Sequence, residues 1–420
     1  MDDLRPILKA TQKQFVEQLH LLPKDHAAWL EIAKRDYTEE QIQHWGIGYA
    51  PGGKFLYDLL SPKGVVEPGR ELNLINEKNN DKIWERLTYP ILDERGEMIG
   101  FASRSLKDGD ETKWMNPANT EFYNKSSQLY GLNFALKSIA KTNTVWFVEG
   151  YNDVIAWQEN GIPNTVSPYG KELAEGQIKK VKRFAHKAIV CFDGDEAGTN
   201  AILRNVPKLF AQGFNVEVCL LPNKLDPDDF IRKTVLNKDE KLEQHLRDND
   251  YIQNGFSFLM ENWITGDTPI EKAEGVKKCS RVLSTIEDKT FREIYSEMLQ
   301  KASKLSKTVL KEIIKDLDSE KIERKNINLS EYDLPVKLQD VDITKYKSMI
   351  REYNFFQHEN EIWMLVERND ELDTFKSISN FEIEIIQHMN DDKYPKKLFR
   401  IRNKRGVERI FDAPADAMQN

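Results

Sequence analysis

VWFVEGYND, residues 145–153, joins a run of four apolar residues to an acidic segment. Two more apolar runs follow, at 188–192 and 216–221, and helical stretches separate the three. Short apolar strands that alternate with helices are typical of a parallel sheet that is buried on both faces. Glycine follows the first and the last of these helical stretches, at Gly161 and Gly213, as is common where helices end. The sequence therefore predicts an α/β fold for this region.

Acidic residues follow each of the three apolar runs. The second run continues into DGDEAG at 193–198, and the third is followed by LDPDDF at 225–230. In open α/β sheets, ligands bind at the carboxyl edge of the parallel strands, so we expect these carboxylates to gather there. Gathered carboxylates raise one another's pKa and cost stability unless a cation neutralises them. The candidate metal ligands are Glu149, Asp153, Asp193, Asp195, Asp226 and Asp228.

The ligand chemistry indicates which metal would bind. Oxygen ligands without histidine or thiolate favour Mg²⁺ or Mn²⁺ over zinc. Two such ions could activate an attacking 3′-hydroxyl and stabilise a pyrophosphate leaving group. Each acidic group taken alone also has a structural explanation: a helix start at 149–153, an Asp-Gly turn at 193–195, and a proline-containing helix cap at 226–228. The joint pattern favours the metal site.

The totals limit the class of protein. A chain of 420 residues predicts two to four domains. The net charge of −8 alone argues against a nucleic-acid partner, but the distribution of charge matters more than its sum. No run of 18 apolar residues and no signal region occur, so we expect a cytoplasmic protein without a membrane partner. The three scattered cysteines argue against disulfides and a cysteine zinc site, and Cys191 and Cys219, which lie in apolar runs, are predicted to be buried.

Local patterns divide the chain further. Thr38 and Gln41 fit a capping box, residues 87–102 fit a β-hairpin, and 236–325 looks like helices only. Two candidate strands, 361–366 and 381–386, lie near the end. We predict five parts: a helical segment at 1–48, a mixed α/β subdomain at 49–142, the sheet domain at 143–235, a helical subdomain at 236–325, and a linker with a small α+β tail at 326–420.

Basic residues alternate with aromatic residues in the mixed region. Arg104, Lys113 and Lys125 lie among Trp114 and Tyr123. Basic side chains pair with phosphates while nucleic-acid bases stack on aromatic rings. This pattern favours a surface for a single strand, although exposed basic residues are also ordinary surface features.

Together these motifs resemble the topoisomerase–primase (Toprim) fold, and specifically the bacterial DnaG-type replicative primases. The acidic segments at 149–156, 193–198 and 225–231 resemble the three Toprim signatures in family order. Residues 89–104 and 113–132 resemble the polymerase subdomain that precedes them. The resemblance spans roughly residues 28–310. It implies an α/β architecture: a parallel-sheet Toprim domain, a mixed α/β N-terminal subdomain, a helical subdomain and a small β-containing C-terminal region.

The resemblance also implies an activity and roles. It implies a DNA primase, a nucleotidyltransferase that makes short RNA primers on single-stranded DNA from ribonucleoside triphosphates. Glu149 would act near the 3′-hydroxyl as a general base or as an orienting group, and a replicative helicase is the implied partner. The remaining roles are metal binding by Asp193, Asp195, Asp226 and Asp228 with support from Asp153, and template or nucleotide binding by Arg104, Lys113 and Lys125.

Three features depart from the family pattern. The first 45 residues contain no cysteine, so we expect no zinc in this chain and a zinc-ribbon domain that is absent or supplied by a separate protein. Gly170-Lys171 stands where the family typically has Gly-Thr. The basic segment 394–405 could contact a helicase or DNA, could belong to the front part of a primase–helicase, or could be a lysine-guarded edge strand. These departures favour a phage or plasmid origin.

Other classes of protein share parts of this pattern. A Toprim-type metal-dependent nuclease would need the carboxylates but not Arg104, Lys113 and Lys125, and incorporation of ribonucleotides distinguishes the two. A topoisomerase needs a nucleophilic tyrosine on a further domain, for which the chain has little room. A non-catalytic scaffold with the same fold would not need the full set of carboxylates.

Overall fold

The computed structural model describes residues 3–107, 109–110, 112–234, 241–266 and 268–325, and short stretches of the tail beyond 331. The chain divides into two compact units, Met1–Lys311 and Glu312–Asn420. The predicted division into five parts is finer than these units and stays a prediction.

Three helices open the first unit: α1 (Arg5–Leu21), α2 (Ala27–Ala33) and α3 (Glu39–Trp45). The apolar side of α1 is buried through Leu8, Phe15 and Leu19. The Thr38 side chain accepts a hydrogen bond from the Gln41 backbone N–H, and the Gln41 side chain accepts one from Thr38, so the predicted capping box is confirmed.

An antiparallel sheet follows, with strands in the order β1-β2-β3-β4. The predicted hairpin is confirmed, since β2 pairs with β3 in antiparallel register from Arg86 opposite Ser105 to Leu92 opposite Met98. Two short helices lie between the first two strands. The elements are β1 (Gly48–Ala50), α4 (Phe55–Leu60), α5 (Val66–Glu71), β2 (Arg86–Leu92), β3 (Met98–Ser105) and β4 (Trp114–Met115).

The second sheet has five strands in the order β6-β5-β7-β8-β9. The first four are mutually parallel, which confirms the predicted parallel sheet. Its elements are α6 (Leu132–Thr142), β5 (Thr144–Phe147), α7 (Tyr151–Glu159), β6 (Thr165–Val166), α8 (Glu175–Lys182), β7 (Lys187–Val190), α9 (Glu196–Ala211), β8 (Asn215–Cys219), α10 (Pro227–Lys233), α11 (Leu242–Asp248) and β9 (Ile252–Asn254).

The edge strand β9 corrects one expectation. Residues 236–325 were expected to be helical throughout, but Ile252–Asn254 pairs antiparallel with β8. The strand is short and mostly polar, so no apolar alternation marks it. Asn254 also caps the next helix, because its side chain accepts from the backbone N–H groups of Phe256 and Ser257. The other helices of this region are α12 (Gly255–Trp263), α13 (Pro269–Thr285), α14 (Lys289–Ser303) and α15 (Lys307–Lys325).

The core of the first unit is aromatic. Trp146 on β5 and Trp157 on α7 are fully buried, with ring centroids 5.1 Å apart. Trp45 of α3 packs 5.8 Å from Tyr130, and both belong to the same buried cluster as Trp146. The cluster therefore joins the N-terminal helices to the parallel sheet. Cys191 and Cys219 are buried and free, as predicted, and Cys279 is buried and free as well.

The second unit contains two small sheets, ordered β10-β13-β12-β11 and β14-β15-β16. The strands predicted at 361–366 and 381–386 are confirmed. The basic strand β15 lies between β14 and β16, so its interpretation as a lysine-guarded edge strand is wrong. Residues 394, 395, 404 and 405 of that basic segment lie outside the described residues. The strands are β10 (Tyr332–Asp333), β11 (Phe355–His358), β12 (Glu361–Val366), β13 (Asp373–Ser377), β14 (Phe381–Met389), β15 (Lys396–Asn403) and β16 (Glu408–Pro414).

Among the helices that the structure describes, none combines the length and the apolar character that a membrane span requires.

Candidate metal centre

Four acidic side chains line one cavity at the carboxyl edge of the parallel sheet. Glu149 follows β5, Asp153 lies in the first turn of α7, Asp193 follows β7, and Asp226 precedes α10. The cavity has a volume of about 340 Å³. Its other charged and aromatic lining residues are Arg35, Arg104, Lys113, Trp114, Tyr151 and Tyr169.

The carboxyl groups of Glu149 and Asp193 both have raised pKa values. Burial raises the pKa of Glu149 to about 7, and the nearby charge of Asp193 adds to the increase. Burial likewise raises the pKa of Asp193 to about 6, with a contribution from Asp226. The Oε2 atom of Glu149 is buried and has no hydrogen-bond partner within the described part of the chain. Its Oε1 atom lies 3.5 Å from Nζ of Lys171.

A glycine fixes the backbone of Asp193. A Cβ atom at Gly198 would lie 2.0 Å from the carbonyl oxygen of Asp193, which is closer than real atoms approach. The first turn of α9 therefore packs directly on the residue that presents the carboxylate. The motif DGDEAG thus has a steric reason for its second glycine.

Asp195 and Asp226 are helix caps as well as members of the acidic groups. Asp195 Oδ1 accepts a hydrogen bond from the Gly198 N–H at 2.7 Å and begins α9. Asp226 Oδ1 accepts from the Asp229 N–H at 2.6 Å and begins α10, with Pro227 at the first helical position. Each cap uses one oxygen of a carboxylate that has two, so capping and metal binding are compatible.

Asp153 connects two of the acidic loops. Its Oδ2 accepts from the Gly150 N–H at 2.8 Å, and its Oδ1 accepts from the Asp228 N–H at 3.3 Å. Burial raises its pKa well above the usual value, and the charges of Asp193 and Asp226 act in the same direction. Both carboxylate oxygens of Asp153 therefore accept hydrogen bonds from backbone N–H groups, an arrangement compatible with the supporting role that was predicted for this residue.

Asp228 and Asp229 lie in a different electrostatic environment. The carboxylate oxygens of Asp226, Asp228 and Asp229 lie within 4.8 Å of one another, a spacing that could hold a metal ion. However, Asp228 forms ion pairs with Arg35 and, at 3.1 Å, with Arg232. Asp229 pairs with Lys233 at 2.7 Å and also with Arg232. Because cations already neutralise two of the three, we favour the cavity carboxylates as the metal centre.

The cavity carboxylates fit a divalent cation. Their ligand atoms are all hard oxygens, as Mg²⁺ and Mn²⁺ prefer. A bound cation would give the unpartnered Glu149 Oε2 a partner and remove the repulsion that raises the pKa of Glu149 and Asp193.

The predicted basic residues lie in different places. Arg104 pairs with Glu31 at 2.8 Å, and its guanidinium lies 5.5 Å from the ring centroid of Trp114. Arg104 and Lys113 line both the acidic cavity and an adjoining cavity of about 760 Å³. Lys125 lines neither of the two, and its carbonyl accepts from the Gln177 side chain at 2.9 Å. The structure therefore brings Arg104 and Lys113 to the site and leaves Lys125 outside both cavities.

Two residues of the site were missed as functional candidates. Lys171 stands beside Glu149, and the departure at Gly170-Lys171 was the available signal. Arg35 pairs with Asp228 across 193 positions of the chain, and no local pattern marks it.

Comparison with known proteins gives consistent matches. Residues 15–136 match the family model described as the DNA primase catalytic core, N-terminal domain, and residues 146–231 match the Toprim-like model. A DNA primase from Halalkalibacterium halodurans is 34% identical over 228 residues, which are 53% of this chain and 38% of that relative. The chain therefore spans well under half the length of this relative.

Solved structures give the same result. A DNA primase domain from Pseudomonas aeruginosa matches with a TM-score of 0.66 and 26% identity, covering 74% of this chain and 99% of that chain. A DnaG primase catalytic domain bound to single-stranded DNA matches with a TM-score of 0.61 and 26% identity, covering 72% and 96% respectively.

Proposed function

We propose that the chain carries the catalytic core of a DnaG-type primase and synthesises short RNA primers on single-stranded DNA by metal-dependent nucleotidyl transfer. One observation supports this proposal most directly. Glu149, Asp193 and Asp226 line a single cavity together with Arg104 and Lys113. A site for phosphoryl transfer needs oxygen ligands for cations and basic groups for phosphates, and this cavity contains both.

We assign the metal to the cavity carboxylates. Glu149, Asp193 and Asp226 would hold Mg²⁺ or Mn²⁺, with Asp195 completing the set and Asp153 orienting the loops. A bound divalent ion would supply positive charge for the triphosphate and for the attacking hydroxyl. Asp228 remains a predicted ligand, but its pairing with Arg35 and Arg232 makes a structural role the stronger proposal.

The residues of the chain would share the remaining work. Glu149 lines the cavity and would act near the attacking 3′-hydroxyl, as a general base or as an orienting group. Arg104 and Lys113 would hold phosphates of the template or of the incoming ribonucleoside triphosphate. Lys125 would act farther from the reacting groups, in keeping with its place outside both cavities.

The template is the partner that the site supports best. A similar catalytic domain is described as bound to single-stranded DNA, and the adjoining cavity here is lined by Lys34, Arg35, Arg104, Lys107, Lys113 and Arg232. Glu31 and Asp110 also line this cavity, so its six cations outnumber its two carboxylates, and this excess of positive charge would bind the phosphates of a single strand. A replicative helicase, a separate zinc-domain protein and a cytoplasmic location remain predictions from the family resemblance.

Primer synthesis from ribonucleoside triphosphates on single-stranded DNA, with Mg²⁺ or Mn²⁺, tests the proposal. The wild type should make short RNA products, and Asp193→Ala should lower the rate roughly a hundredfold or more, as expected when transition-state charge loses its stabilisation. Asp229→Ala is a matched control, because Asp229 is acidic but paired with Lys233 and Arg232, and it should retain activity. Metal-dependent loss of the DNA without RNA products would instead indicate the nuclease.

A further inference from the structure

We propose that the indole of Trp84 is a stacking platform for an unpaired base of the template strand as it approaches the metal centre. The proposal rests on the proposed function and extends it to a residue outside the predicted set. Trp84 lies in the segment before β2, and 53% of its surface is exposed. An exposed indole offers a π-face on which a nucleic-acid base can stack.

The platform is held rigidly by its backbone. A Cβ atom at Gly52, where φ is +80°, would lie 2.0 Å from the Trp84 Cβ and 2.7 Å from its Cα. Only glycine accommodates both this left-handed φ and the close approach. Trp84 therefore packs against Gly52 at its Cα and Cβ, while about half of its surface stays exposed. Stacking of a base on a ring held in this way costs the protein little conformational entropy.

The ring is continuous with the catalytic cavity. Trp84 lines a cavity of about 630 Å³ together with Lys107 and Asp110, and these two residues also line the 760 Å³ cavity. That second cavity shares Arg104 and Lys113 with the acidic cavity. A single strand could thus follow one connected surface from the carboxylates to Trp84.

The charges around the ring distinguish stacking from phosphate binding. Lys107 Nζ lies 4.6 Å from the Trp84 ring centroid and also pairs with Glu85 at 3.1 Å. Arg86 pairs with Asp110 at 2.8 Å. Because both cations have acidic partners, the attraction at this end of the surface would come mainly from the π-face of the ring. Base–aromatic stacking tolerates any base, as a template surface requires.

Binding of fluorescent oligo-dT to the full chain tests the platform. Trp84→Ala retains the Cβ that packs on Gly52, so the fold should persist, and the affinity should fall about five- to tenfold. Trp84→Phe should retain most of the affinity, whereas Trp84→Leu should lose it, because only the former keeps a π-face. Phe291→Ala removes another exposed aromatic residue, 46% exposed on α14, and should bind as the wild type does.

The salt dependence separates the two kinds of contact. Trp84→Ala should leave the slope of log affinity against log salt unchanged, whereas Lys113→Ala should reduce it by about one phosphate contact. Equal affinity of Trp84→Ala and the wild type, or absence of any oligo-dT binding by the wild type, would overturn the platform. A loss confined to oligo-rU would overturn its assignment to the template.

Primer synthesis by the same variants distinguishes failure of the platform from failure of the proposed function. A wild type that primes, together with a Trp84→Ala variant that binds DNA normally, would reject the platform alone. A wild type that binds DNA through Trp84 but makes no RNA would reject primer synthesis and leave the platform standing.

Discussion

Two acidic groups at the carboxyl edge of the parallel sheet differ in the charges that surround them. Burial raises the pKa of both Glu149 and Asp193, and neighbouring carboxylates raise it further. Burial raises the pKa of Asp228 as well, but there Arg35 and Arg232 act in the opposite direction. Asp228 and Asp229, at the start of α10, are bound by arginine and lysine side chains. Close spacing of carboxylates is thus common to both groups, and the availability of negative charge separates them.

The difference has a thermodynamic basis. Burying a carboxylate without a partner costs stability, and a buried ion pair offsets part of that cost. In the metal-free protein the cavity carboxylates are buried without a cation. A bound divalent cation would neutralise them and would therefore stabilise the folded state. The α10 group is already neutralised and would gain little from a metal ion. We therefore propose that metal binding and structural support fall to different carboxylates of the same edge.

Removal of Arg35 tests the structural side of this comparison and should give the largest change in stability. Asp228 has a side chain that is only 2% exposed, and Arg35 is itself 15% exposed. Arg35→Met leaves a buried carboxylate short of charge, so the free energy of unfolding, measured with urea, should fall by about 3 kcal/mol.

Arg232→Met is the matched control, since Arg232 contacts the same carboxylate at 3.1 Å but is 25% exposed. Arg232→Met should lower the free energy of unfolding by about 1 kcal/mol or less, as for other partly exposed ion pairs. The double variant Arg35→Met/Asp228→Asn should recover much of the stability. A loss of only about 1 kcal/mol or less for Arg35→Met would mean that Arg35 contributes little to neutralising Asp228, and Asp228 would return as a metal ligand.

The pH dependence of the metal-free protein tests the cavity side. Burial raises the folded-state pKa of Glu149 to about 7 and of Asp193 to about 6, above their ordinary values of 4.5 and 3.8. The folded state therefore binds more protons than the unfolded state, and the contribution of these groups to stability falls as pH rises from about 4 to 7. At pH 7.5 with EDTA, Glu149→Gln/Asp193→Asn should be more stable than the wild type by about 2 kcal/mol. At pH 4 the two proteins should be nearly equal.

Asp229→Asn should show the opposite sign. The hydrogen bond from Lys233 lowers the pKa of Asp229, so its stabilising effect is present above its ordinary pKa and is lost as pH falls through the folded-state value. The variant should be less stable than the wild type at pH 7.5, and the difference should disappear in acid. Thermal unfolding across the pH range measures both variants. If the stability difference from the wild type changed with pH in the same direction for both variants, the cavity carboxylates and Asp229 would not differ in their electrostatic environment.

The sequence could predict the acidic edge because its signals are local. Each apolar run ends in acidic residues, and parallel strands bring their carboxyl ends to one edge whatever the rest of the chain does. The hairpin and the Thr38 capping box follow equally local rules. What distinguishes Asp193 from Asp228 is not local, because it depends on Arg35, which lies 193 positions before Asp228.

The unpredicted strand has the same cause, and Lys125, whose role stays a prediction, shows the same limit. The strand Ile252–Asn254 exists because its backbone pairs with the edge of β8, and three mostly polar residues give no periodic signal. Lys125 follows the basic and aromatic pattern of its neighbours, yet it lies outside both cavities. Sequence patterns identify which residue types suit a site, whereas tertiary packing decides which of them reach it.

Lys171 is a basic neighbour of the cavity carboxylates, as Arg35 is of Asp228. Its removal should give the smallest of the predicted effects. Its Nζ lies 3.5 Å from Glu149 Oε1, and its charge also lowers the pKa of Asp193. The Asn205 side chain, which is fully buried, holds the Lys171 carbonyl at 2.8 Å and fixes this loop beside the cavity. Lys171→Met should lower the dissociation constant of Mn²⁺, measured by calorimetry, about fivefold, because an ammonium group repels a cation by about 1 kcal/mol at this range. Lys171→Arg keeps the charge and should bind Mn²⁺ as the wild type does. If Lys171→Met also binds as the wild type does, then the lysine does not act on the cavity carboxylates. Should Lys171→Met bind Mn²⁺ more weakly instead, the ammonium group would position the ligands rather than compete with the metal. Lys171 would then act on Glu149 as Arg35 acts on Asp228, as a structural partner.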